Sequence, residues 1–222
     1  MKIKDAIILT FGSLFLGWAV LHTKPLTPSQ AKPMPAITTL DTLTSVKGKT
    51  ALFIGDSHTA NHQSGWQKQL SDSVGFNMIN PSEVGKTTYW MLNMALYKLN
   101  DKIDYCFVYG GANDMYSNNI SIEEAIENIK GITRMCSKLG VKCYILTGFD
   151  PITCTRTKNS RYALRYATFQ RLLLEESFEG AVVIDTRVVA RTDCWDGLCH
   201  MNPKGHKKIA QKIIKDLKLK KI

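Results

Sequence analysis

The sequence predicts an α/β protein built on a central parallel sheet, and three observations carry the prediction. Five short apolar runs each stop at a glycine or a polar residue, as at Ile54-Gly55 and Tyr109-Gly110. Longer segments with helical spacing lie between them. Capping and turn residues sit at the junctions. A continuous apolar run is the signature of a parallel strand covered on both faces. Strands that alternate with helices close into a layered sandwich with right-handed crossovers.

Each element follows in order. Thr50 to Ile54 runs into Gly55-Asp56-Ser57 as the first strand, with a helix expected to begin in the polar segment after it. Asn61 to Val74 spaces Trp66, Leu70 and Val74 on one helical face. Phe76 to Asn80 is a short strand, Pro81 to Gly85 a loop, and Thr87 to Leu99 a helix. Asp104 to Tyr109 is the third strand and ends at Gly110-Gly111-Ala112-Asn113-Asp114, a stretch rich in turn formers. Ile120 to Leu139 is a helix with Ser121 at its N-cap and Glu124 three residues on, a capping box; Gly140 stops it. Val141 to Thr147 is the fourth strand, Ser160 to Glu176 a helix, and Ala181 to Asp185 the fifth strand. The last helix starts with Asn202 as N-cap and Pro203 at its first position.

Composition bounds the reading. The 222 residues are 44% hydrophobic and 22% charged, which suits one well-buried domain with an extension. A net charge of +10 permits anionic partners without choosing one, and no zinc-finger, phosphate-loop or RNA-binding motif accompanies it, so nucleic acid is not expected. Ala6 to Leu21 is uncharged and apolar. It is a little shorter than a membrane span of about 20 residues, and no small-x-small cleavage site follows. Residues 1–22 therefore read as a signal anchor, in preference to a cleaved signal peptide. Pro25, Pro28, Pro33 and Pro35 make residues 23–42 an extended tether, leaving 43–222 as the folded domain. The domain is expected to be membrane-anchored through residues 6–21, or exported, on the extracytoplasmic side.

Four landmarks fall at strand ends on one rim, where ligands bind in open parallel sheets. Ser57 follows the first strand, Gly85 lies in the loop after the second, Asn113 follows the third, and His200 precedes the last helix. The residue types suit acyl transfer. A serine attacks a carbonyl, and a histidine takes its proton and later gives it to the leaving alcohol. A carboxylate, Asp196, holds the imidazole. The N–H groups of Ser57 and Gly85 and the side-chain amide of Asn113 supply three donors to the oxyanion. Glycine at 85 would leave the carbonyl uncrowded.

These motifs, Gly55-Asp56-Ser57, Gly85, Gly111-Ala112-Asn113-Asp114 and Asp196 through Gly205, resemble the SGNH/GDSL hydrolase family over about residues 48–220. The resemblance implies a flavodoxin-like three-layer sandwich with a five-stranded parallel sheet. It also implies hydrolysis of acyl esters on glycans or lipids, without a cofactor. One position departs from the family pattern. The acid is usual three residues before the histidine, but 197 is glycine, so Asp196 stands four before; Asp193 or a backbone carbonyl are the alternatives for holding His200. The leading expectation is a serine esterase of small acyl esters, such as O-acetyl groups of a surface glycan. A tethered non-catalytic binding or structural protein and an O-acyltransferase are the alternatives.

The remaining candidates read more plainly. Asp114 holds its loop. His58 and His62 line the rim or the surface, since no third ligand at metal spacing appears, and no metal is expected. His206 is a polar residue of the last helix. Tyr116 and Trp195, on rim loops, either stack on a sugar ring or pack the loops. Cys106 and Cys143 are buried strand thiols, and two of Cys154, Cys194 and Cys199 are expected to be bridged if the domain is exported. The lysine-rich end keeps Ile209, Ile213 and Leu217 on one face of a packed helix.

Overall fold

In the computed structural model, the described residues are 43–60, 63–117, 119–154, 160–195 and 200–222, with Thr153 and Cys154 described by backbone alone. The expected membrane segment (6–21) and tether (23–42) lie outside them. Among the described residues no helix is long and apolar enough to cross a membrane.

Five strands form one parallel sheet in the order β2-β1-β3-β4-β5: β1 (Thr50–Gly55), β2 (Asn77–Ile79), β3 (Tyr105–Tyr109), β4 (Lys142–Leu146) and β5 (Ala181–Ile184). This is the flavodoxin-like order. The central strand β3 is buried at every position, while the edge strand β2 is largely exposed, which is why β3 is apolar throughout. The main helices are α1 (Trp66–Val74), α2 (Thr88–Lys98), α4 (Ile122–Leu139), α6 (Arg161–Glu175) and α7 (Pro203–Asp216). Two short ones are α3 (Ala112–Tyr116), which begins inside the stretch rich in turn formers, and α5 (Pro151–Cys154), which lies between the fourth strand and the helix after it.

Side chains alternate along the strands and so split the core. Phe53 and Phe107 stack with ring centroids 5.1 Å apart and meet Trp66 and Leu70 of α1 and Ile209 and Ile213 of α7. Leu52, Ile54, Cys106 and Val108 point the other way, toward Met91 and Ala95 of α2 and Ile132 and Cys136 of α4. The expected caps are present. Ser121 accepts from Glu124 N–H at 3.0 Å, and the Asn202 side chain accepts from Lys204 and Gly205 N–H.

Helix α1 starts later than expected. After β1 the chain makes a hydrogen-bonded turn, with Thr59 and Ala60 N–H both donating to Asp56 C=O at 2.9 Å, and regular helix begins only at Trp66. Ser57 is therefore held by a tight turn and not by a helix N-terminus. His206 sits on α7, as expected. It is buried, and its Nδ1 accepts from the Trp66 N–H at 3.2 Å, satisfying a donor at the start of α1.

Candidate active site

The Gly-Asp-Ser turn is shaped by a close approach. A Cβ on Gly55 would stand 2.3 Å from Tyr109 C=O and 2.4 Å from Thr59 Oγ1, so only glycine lets the turn close against the end of β3. The turn points Asp56 inward, where it is fully buried, and Ser57 toward the cleft. Asp56 Oδ1 accepts from His58 N–H at 3.0 Å. Burial pushes the Asp56 carboxyl up to about 7, against the pull of that N–H.

His200 arrives from the far end of the chain. Trp195 N–H donates to His200 C=O at 2.8 Å, and Cys194 pairs with Met201 in an antiparallel bridge. This pinched loop brings His200 Nε2 to 3.2 Å from Ser57 Oγ across 143 residues of sequence. Asp196 lies outside the described residues, as do His62 and Cys199. The alternative acid, Asp193, is committed elsewhere: its Oδ2 accepts from Ala190 N–H at 2.8 Å and from Lys208 Nζ at 2.6 Å. It fixes the loop to α7. Cys194 is disulfide-bonded, and Cys106, Cys136 and Cys143 are free thiols.

Asn113 sits on α3, whose first turn follows Gly111. Its Nδ2 donates to Lys86 C=O at 3.0 Å and, more weakly, to Asp56 Oδ2 at 3.4 Å. Asp114 turns away and caps α2, accepting from Thr88 N–H and from Thr88 Oγ1 at 2.5 Å, the loop-holding role expected of it. Gly85 has φ +75°, with open space where a Cβ would lie. The left-handed backbone itself requires glycine there, in addition to any room that a carbonyl needs.

Two clefts meet at the Ser57–His200 pair. One, of about 270 Å³, is lined by Ser57, His58, Ala112, Asn113, Tyr116, Tyr162 and His200. The other, of about 330 Å³, is lined by Ser57, His58, Val84, Trp195, His200, Met201 and His206. Tyr116 and Trp195 are 69% and 74% exposed, so most of each ring is open to a ligand.

His58 lines the cleft, as expected; its ring lies 5.3 Å from His200 and stacks between it and Tyr109, supporting the imidazole from behind. Two contributors were not legible in the sequence. Tyr162 meets Tyr116 edge-on at 5.9 Å. Arg165 donates to the carbonyls of Met115, Ser117 and Ile120, clasping the end of α3. A serine hydroxyl on an imidazole beside an amide donor is equipped for nucleophilic attack on a carbonyl.

The family model for the GDSL-like lipase/acylhydrolase family matches residues 53–208, most of the folded domain. The chain belongs to the GDSL-like lipase/acylhydrolase family. Like other GDSL enzymes it is a carboxylic ester hydrolase. No curated protein matches the chain. Among solved structures, a catalytic mutant of an acetylxylan esterase from Geobacillus stearothermophilus is similar at TM-score 0.63 and 14% identity, over 80% of this chain and 98% of that one. A lipolytic G-D-S-L family protein from Veillonella parvula gives 0.61 and 17%, covering 76% and 97%. An α/β hydrolase enzyme from the metagenome of Lake Arreo, Spain, gives 0.64 and 17%, covering 77% and 95%. At these identities the likeness to the solved structures is one of fold. The GDSL motif of this chain, Gly55-Asp56-Ser57, lies inside the matched range.

Proposed function

We propose that this GDSL protein is a serine esterase in which Ser57 is the nucleophile, His200 the general base and acid, and Asp196 the carboxylate behind His200. The observation that carries the reading is the 3.2 Å contact between Ser57 Oγ and His200 Nε2. Ser57 Oγ attacks the ester carbonyl carbon and gives its proton to His200 Nε2. The oxyanion is held by Ser57 N–H, Gly85 N–H and Asn113 Nδ2. Collapse breaks the ester C–O bond, and the leaving alcohol takes the proton back from His200. Water then attacks the acyl-serine by the same route, releasing the carboxylic acid and restoring Ser57.

The substrate we favour is a small acyl ester, an O-acetyl group on a glycan. The open rings of Tyr116 and Trp195, one on each cleft, support it by offering apolar faces to sugar rings. So does the fold shared with an acetylxylan esterase. The disulfide at Cys194 is in keeping with an oxidising, extracytoplasmic location, reached by a chain anchored through residues 6–21.

The test is acetate release from acetylated xylo-oligosaccharides and from a chromogenic acetyl ester, with fluorophosphonate labelling in parallel. Ser57→Ala and His200→Ala should each bring turnover to near background, and the double variant should be scarcely worse, since the pair acts as a unit. Asn113→Ala should lose about 3 kcal/mol of transition-state stabilisation with substrate binding kept. Absence of both labelling and turnover in folded protein would overturn the assignment in favour of a binding protein. Acyl transfer to an added alcohol in preference to water would favour the acyltransferase.

A further inference from the structure

On the α2/α4 side of the sheet, three cysteines from three elements meet. Cys106 of β3 and Cys143 of β4 are directly paired across the parallel strands, and Cys136 of α4 lies over them. Their sulfurs all lie within 4.8 Å of one another, and the three residues are at most 2% exposed. A free cysteine is commonly just a small buried hydrophobe. Here, however, sulfur occurs three times at one point, on segments separated in sequence.

We propose that Cys106, Cys136 and Cys143 form a buried three-thiolate site for a trivalent thiophilic metalloid of the arsenic(III) class. Geometry admits a three-coordinate ion. Arsenic(III) keeps a lone pair and is pyramidal, so three thiolates at about 2.3 Å with S–As–S angles near about 100° stand about 3.5 Å apart. An edge at the 4.8 Å limit therefore has to close by about 1.3 Å, with the ion just off the plane of the sulfurs. Zinc fits poorly, because structural zinc takes four ligands and no fourth histidine, cysteine or carboxylate joins the group among the described residues.

Charge selects the class. Among the described residues the sulfurs share an apolar core with Leu52, Ile54, Met91, Ala95, Val108 and Ile132, all fully or almost fully buried, and no salt bridge of a lysine or arginine reaches them. A monovalent ion on three thiolates would leave two negative charges in this apolar core, and a divalent ion one. Burying unpaired charge is strongly unfavourable. A trivalent centre is neutral. As(OH)₃ and three thiols give As(SR)₃ and three waters, with three As–O bonds replaced by As–S bonds and no change in oxidation state.

The experiment refolds the full chain from denaturant under a phosphine reductant, with and without one equivalent of arsenite. Native mass spectrometry should find one arsenic per chain, and X-ray absorption should find three sulfur neighbours and no oxygen. Cys136→Ser and Cys136→Ala should each weaken binding about tenfold or more by removing one arm of the chelate. Both should keep ester hydrolysis, which reports that the fold is intact. Joint replacement of Cys154, Cys194 and Cys199 by serine should leave arsenic binding unchanged. The proposal is overturned by no uptake, by fewer than three sulfurs around arsenic in the unsubstituted chain, by equal binding in the Cys136 variants, or by uptake of cadmium or monovalent copper in preference to arsenic. Because the sulfur count is read in the unsubstituted chain and again in the chain lacking Cys154, Cys194 and Cys199, where loss of arsenic would also overturn the proposal, a Cys136 variant that fails to fold does not leave the matter open.

Discussion

Asp56 and His206 are buried beside the cleft and titrate in opposite senses. Asp56 is raised from 3.8 to about 7, chiefly by burial. Between those values the folded protein holds a proton that the unfolded chain has released, so stability falls as pH rises through the window, by about 4 kcal/mol as an order of magnitude. His206 is lowered from 6.5 to about 4 by burial. Here the unfolded chain takes the proton first, so stability is lost as pH falls from about 6.5 toward 4, by about 3 kcal/mol. His206→Gln should therefore flatten the acid limb of a urea-denaturation series measured between these pH values. A limb of unchanged slope would mean that other groups cause it. Asp56→Asn should raise stability above pH 7, because no charge is then buried, while lowering kcat. An asparagine that accepts from His58 N–H turns its own amide toward that of Asn113, and two donors cannot share a bond. Neither role can be read from residue type: an aspartate after a strand looks the same whether or not the fold seals it from water, and a histidine on a lysine-rich helix looks solvated.

Elements differ in how much they show locally. The five strands and the caps Ser121 and Asn202 were legible because apolar runs and side-chain-to-backbone bonds involve neighbours in sequence. Helix α3 was not, because Gly-Gly-Ala-Asn-Asp reads as a turn. What makes it helical is distant: Asp114 bonded to α2, and Arg165 of α6 bonded to the carbonyls that end it. Arg165→Met should thus loosen the element that carries Asn113 and Tyr116. Charged hydrogen bonds contribute about 1.5–3 kcal/mol each, so kcat/KM should fall by about tenfold or more, and fluorophosphonate labelling of Ser57 should slow in parallel. Unchanged kinetics would show that α3 holds itself. Gly85→Ala should cost about 1–2 kcal/mol of stability from its left-handed backbone, read as a shift of the urea midpoint.

At the scale of the molecule, the alternation of strands and helices specified the sheet and its rim. It also put His200 on the rim with Ser57, where the two stand 3.2 Å apart. It did not reveal that three cysteines would converge, because that depends on which strands become neighbours and on which helix covers them. The start of the folded domain is a further testable feature. Thr44 bridges to Leu219, and Val46 is fully buried. A chain beginning at Leu43 should keep its full thermal stability, whereas removal of residues through Val46 should cost about 1.5–3 kcal/mol for the lost valine alone. Equal melting temperatures for the two would place the boundary later. The same bridge has a practical reading. Helix α7 begins beside the cleft at Pro203 and carries the chain down to Leu219, where it meets the residues that lead into β1. Both ends of the domain thus leave from its floor, and the cleft opens at the opposite end of the strands. A fluorophore, an affinity handle or a solid support attached at either end would leave the cleft unobstructed. A short peptide joining residue 222 to residue 43 would close the backbone into a circle that can be reopened at the exposed Asn100–Asp101 turn.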